Sequence, residues 1–98
     1  MSDTTISFEI VKQFKERMRL GNDEDDNLIR ILSTSHKALR RVCGNYDIHN
    51  DEEFKELVFE RSRYVYNDAL EYFDKNFLNQ INSLGIDKAL EEMKVGGN

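Results

Sequence analysis

The chain has no proline and no tryptophan, and only one cysteine and five glycines among 98 residues. Each scarcity excludes something. Without proline, nothing forces a kink on a helix, so long uninterrupted helices are open to the chain. A single thiol, Cys43, makes an intramolecular disulfide impossible and fits a reducing compartment. The glycines are too scattered for a phosphate-cradling loop. Apolar runs are a few residues long, far short of the roughly 20 needed to span a membrane, so no membrane partner is expected. Met1-Ser2-Asp3-Thr4-Thr5 has neither a basic start nor an apolar stretch, so no secretory signal is expected. Basic charge is scarce as well. Residues 1–50 carry 8 basic and 8 acidic side chains, whereas residues 51–98 carry 6 and 11, which makes the net charge of −5 a property of the second half. A protein that grips nucleic acid normally shows a basic excess. This balance speaks against that role but suits a protein that lets DNA pass without holding it.

What is present is helical. A chain of this length forms one domain with a modest core, burying roughly 60–70 % of its unfolded surface. Four segments show a helical period. The first runs from about Phe8 to Leu20, with Ser7 as N-cap, Gly21 as stop, and a buried face of Phe8, Ile10, Val11, Phe14 and Met18. Asp23-Glu24-Asp25-Asp26 opens the second, which runs to Cys43 and stops at Gly44. Its acidic start and basic end (Lys37, Arg40, Arg41) both complement the helix dipole. Residues 44–50 form a turn-rich loop, and Asn50 or Asp51 caps the third helix.

The third segment, Asn50 to Phe77, reads as one long helix with two apolar stripes. One is Phe54, Leu57, Val58, Val65, Ala69 and Tyr72; the other is Phe59, Tyr66, Leu70, Phe73 and Phe77. A surface helix of a small monomer needs one stripe of about 100°. Two stripes call for burial on two sides, and a second copy of the protein is a natural source of the second. Gly85 breaks the pattern beyond, and Ile86, Ala89, Leu90 and Met93 give a piece of about eight residues, too short to be stable before it docks. Gly96-Gly97-Asn98 reads as a tail.

No chemical signature competes with this reading. The acidic cluster 23–26 lacks the spaced ligands and central glycine of a calcium loop and is better read as a helix start. His36, Cys43 and His49 have no paired metal-ligand spacing, so neither a metal nor another cofactor is expected. Ser33-Thr34-Ser35-His36 sits mid-helix, where neighbouring side chains diverge, and no glycine-rich elbow supplies an oxyanion site. An enzyme is not expected. Lys37, Arg40 and Arg41 precede a seven-residue loop and an acidic helix start, which does not fit a helix-turn-helix; pairing with nearby acids is the plainer role. Arg61 and Arg63 interrupt the apolar surface of the third helix, either laying their stems on it to reach a carboxylate or pairing across a subunit contact.

The order of elements carries more. A short helix ending Met18-Arg19-Leu20, a Gly-Asn turn, and Asp23-Glu24-Asp25-Asp26-Asn27-Leu28-Ile29 opening the next helix resembles the head–tail connector (adaptor) family of long-tailed bacteriophages. Ile6 through Leu20, the helix ending Val42-Cys43-Gly44, Arg61-Ser62-Arg63-Tyr64-Val65-Tyr66-Asn67-Asp68-Ala69 with Tyr72-Phe73, and Ile81 through Leu84 with Ile86 through Leu90 all look like family segments. The resemblance covers about residues 6–90. It implies a ring of about a dozen copies beneath the portal at the capsid vertex, assembled in the host cytoplasm and resident in the virion. It further implies that the ring extends the DNA channel, docks the portal protein and the next head-completion (stopper) or tail protein, and carries no catalytic residues.

Together these readings give an all-α fold: a small bundle of three main helices plus a short C-terminal helical segment, assembling into a ring. They divide the chain into an N-terminal tail (1–6), a helical connector domain (7–77) and a C-terminal segment (78–98). Phe59, Arg63, Tyr66, Leu70, Phe73 and Phe77 are the expected subunit contacts. By the resemblance, Ile81, Leu84, Ile86, Leu90 and Met93 are the expected portal-docking positions. The competing reading is a small helical regulator or antitoxin-like module that dimerises through the same long helix. A dimer would pair one stripe with itself.

Overall fold

The computed structural model describes residues 6–96, and the expectations for residues 1–5 and 97–98 lie outside it. The fold is all-α. It comprises α1 (Phe8–Met18), α2 (Asp25–Cys43), α3 (Glu52–Tyr66), a single 3₁₀ turn (Leu70–Tyr72) and α4 (Phe73–Gly96). The second helix, α2, packs against each of the other three, so the core lies around its inner face.

Local chemistry sets the helix ends. The Ile10 amide donates to Ser7 Oγ at 3.3 Å, the N-cap bond that starts α1. The helix ends three residues before Gly21, because Arg19 itself takes the left-handed conformation (φ 59°) and the Leu20 amide closes back on the Lys15 carbonyl at 2.9 Å. Ile10, Val11 and Phe14 are buried, but Phe8 is 76 % exposed. It lies about 120° round the axis from Phe14, outside the buried arc. Asp25 and Asp26 occupy the first turn of α2, Arg40 and Arg41 its last, and Gly44 ends it at φ 109°. A Cβ on Gly44 would lie 2.5 Å from Lys88 Cγ, so the glycine is needed for space as well as for backbone.

The single long helix expected over 50–77 is two helices. The first, α3, stops at Tyr66, Asp68 adopts φ 58°, and the Ala69 amide bonds the Tyr64 carbonyl at 2.8 Å. This is a helix-terminating geometry built without glycine; Asn and Asp are the residues that tolerate the left-handed region best after it. The reversal brings Phe73 edge-on to Tyr64 at 5.7 Å and stacks Phe77 on Phe73 at 5.0 Å.

The fourth segment also differs from expectation. It is a 24-residue helix, locally distorted at Phe77, and the expected eight-residue piece, Ile86 to Met93, lies within its second half. Gly85 lies inside it. A Cβ there would meet the Val42 carbonyl oxygen at 3.1 Å, so the glycine lets α4 approach α2 closely instead of breaking the helix. The helical domain therefore extends past residue 77, since Ile81 and Leu84 belong to the core, as does Ile6 at the other end.

Candidate functional site

His36, Cys43 and Ser35 are buried in the core. Among the described residues, no cluster of three or more His, Cys, Asp or Glu side chains is arranged to hold a metal ion. His36 is buried, edge-on to Phe54 at 5.7 Å. Burial pushes the Cys43 thiol above its ordinary value, the opposite of a reactive thiolate. Ser35 Oγ accepts from Arg61 Nη1 at 3.1 Å.

Two of the six expected subunit-contact residues are interior. Phe59 is 3 % exposed and packs against Phe14 at 5.6 Å; Phe73 is fully buried beneath Tyr64. The expectation for these two is corrected: α1 lays Phe14 and Arg17 over Phe59, and the reversal at 67–69 turns Phe73 back onto the subunit's own core. The other four keep surface. Phe77 is half-buried against Phe73. Tyr66 is half-buried and its hydroxyl donates to Glu24 Oε2 at 2.6 Å. Leu70 is 40 % exposed. Arg63 lies over the Tyr64 ring at 5.1 Å and pairs with Glu60 at 2.6 Å.

Glu60 also receives Arg17 at 2.7 Å, and Arg17 reaches Glu56 at 2.8 Å, which ties α1 to α3. Burial works to raise the Glu60 carboxyl, but hydrogen bonds from Arg63 and Arg17 hold it below the usual carboxylate range. Arg63 thus reaches a carboxylate within its own subunit. Lys37, Arg40 and Arg41 do not: Arg40 donates to Asn45 at 2.8 Å, and none of the three forms an ion pair with a described residue.

The expected docking segment splits in two. Ile81 and Leu84 are 9 % and 3 % exposed and face the core, a correction to their role as docking residues. The reason is register: with Phe77 they form one side of α4, which is sealed when the Tyr46 hydroxyl donates to the Leu84 carbonyl at 2.8 Å. Ile86, Leu90 and Met93 are exposed at 59, 57 and 68 %, and Leu78 joins them at 52 %. They lie on a second side of α4, about 60–180° from the first. A two-striped helix does exist in this protein, and it is α4.

Between this second stripe and α2 lies a groove of about 740 Å³ with Ala38, Val42, Leu78, Ile86 and Ala89 in its walls and Arg61 at its base. Arg61 is half-buried, and no described carboxylate lies within 4 Å of it. Desolvation lowers its pKa, partly offset by the charge of Asp74. Beyond Ala89, every side chain through Met93 is exposed, so the end of α4 runs past the Gly44–Lys88 contact as an arm. Leu78, Ile86 and Met93 share one face by their spacing of eight and seven, a signal legible in the sequence once Gly85 is kept inside the helix.

Comparison with protein-family models, with curated proteins and with solved structures gives no match to this chain. The geometry therefore stands by itself: a helical bundle with an uncovered groove between α2 and α4, another of about 670 Å³ lined by Ile31, Val65, Tyr66 and Leu70, and a helical arm at the end of α4.

Proposed function

We propose that this protein is a structural adaptor subunit of a phage head–tail connector. In this role it forms a ring beneath the portal, extends the DNA channel and docks the next head-completion or tail protein. The observation that carries the reading is the uncovered stripe of α4, in which Leu78, Ile86, Leu90 and Met93 are all more than half exposed although the core has already claimed the other side of the helix. Solvated apolar surface of this kind on a small bundle marks a surface made for another protein. The family resemblance of the helix order supplies the kind of assembly. The acidic second half of the chain suits a channel wall that repels phosphate and leaves DNA free to slide.

Deleting the gene in its phage tests the proposal. Mutant infections are expected to yield heads without tails, and purified protein added to those heads is expected to restore tail joining and to appear as a ring between portal and tail. Normal tailed particles in the absence of the protein would overturn the reading.

A further inference from the structure

We infer that the α2/α4 groove receives the α4 arm of a second copy of this chain, in a head-to-tail contact. The inference rests on the ring reading and deepens it by naming the contact. Two surfaces on one molecule are both apolar and differ in the sign of their charge. The groove side is apolar through Val42, Leu78 and Ile86; Arg61 and Asp74 both line it, and the exposed Lys37 and Arg41 stand on α2 next to its Ala38 and Val42 wall. None of these three basic side chains has an ion-pair partner among the described residues. From Asn27 to Tyr46 the chain holds four basic side chains and no acid.

The arm carries the complement. Leu90 and Met93 are its exposed apolar positions, Glu91 and Glu92 its acids and Lys94 its one base; among the described residues Glu92 forms no ion pair and Glu91 pairs with Lys88 at 2.9 Å on the surface. Lengths agree too. The groove spans Leu78 to Ala89, about 16 Å of helix, and the arm from Leu90 to Gly96 spans about 9 Å. The arm cannot reach its own groove, because both belong to one continuous helix. The contact is therefore between different surfaces, which repeats from copy to copy and closes into a ring or extends as a filament.

Cysteine trapping in the full-length protein tests this. Leu78→Cys marks the groove and Met93→Cys the arm. Both sites are exposed, and they lie about 22 Å apart along one helix, too far for a bond within a chain. The native Cys43 is buried and stays in place. Under mild oxidation of concentrated protein, the double variant is expected to give a ladder of covalent multimers. A mixture of the two single variants is expected to give dimers joined 78 to 93. Lys37→Glu with Arg41→Glu in the groove copy should cut that yield about fivefold or more, and Glu91→Lys with Glu92→Lys in the arm copy should restore it. A single variant that cross-links efficiently to itself would mean a symmetric dimer and overturn the inference. So would the absence of cross-linking, a yield indifferent to charge reversal, or an arm captured only by the portal. If the ladder forms but heads lacking the protein still acquire tails, the contact stands and the connector reading falls.

Discussion

The third and fourth helices carry similar apolar content and use it differently. In α3, Phe54, Leu57, Val58 and Phe59 are all at most 3 % exposed, because α2 and α4 pack against the helix and Phe14 of α1 covers Phe59. In α4, Phe77, Ile81 and Leu84 turn inward while Leu78, Ile86, Leu90 and Met93 stay in water. A surplus of apolar positions thus tells how much surface must be covered. The path of the chain decides whether the same molecule covers it.

The contrast is sharpest at Phe54. It is fully buried between His36 and Tyr46, with the Tyr46 ring stacked at 5.5 Å. Phe54→Ala should cost about 3–5 kcal/mol of stability, read from the urea midpoint by circular dichroism. A loss below about 1 kcal/mol would mean that α3 is no better covered than α4.

The turn that separates the two helices comes next. A β-branched residue at the positive φ of Asp68 is strained, so Asp68→Val should cost about 1–2 kcal/mol, whereas Asp68→Gly should be neutral or stabilising. Equal stabilities for the two variants would show that the reversal is imposed by Phe73 packing alone.

A smaller effect belongs to the ion-paired edge of α3. The Glu60 carboxyl sits below its unfolded value of 4.5, so it contributes stability that is full above that value and is lost as the pH falls through the lower folded one. Glu60→Gln should lower stability at neutral pH by less than about 1 kcal/mol. The difference from the unmodified protein should shrink below pH 4.5 in urea titrations at stepped pH. A gap that widens on acidification would reverse the assigned sign. Smallest of all, Leu90→Ala on the arm should change the stability of the isolated subunit by about 0.5 kcal/mol or less in the same urea assay. A larger loss at low protein concentration would place Leu90 against its own subunit.

Much of this was legible in the residues. Ser7, the acidic run at 23–26 and Gly44 mark helix ends through local capping and dipole effects, and those ends appear within a few residues of where such chemistry puts them. The break at Asn67-Asp68 was less legible, since neither residue is a strong helix stop and apolar periodicity continues across them by coincidence. Gly85 misled in the opposite direction. Its meaning lies in Val42, 43 positions earlier, which no local window contains.

By itself, the sequence determined that this chain is helical, where its first two helices begin and end, and that it holds more apolar surface than a single stripe per helix requires. These follow from interactions within a few residues: caps, dipoles and the 3.6-residue period. Only the tertiary structure decided which surplus remains. Docking of α1 buries Phe59, folding back at 67–69 buries Phe73, and Leu78, Ile86, Leu90 and Met93 are left uncovered, because burial depends on which distant element arrives against a face.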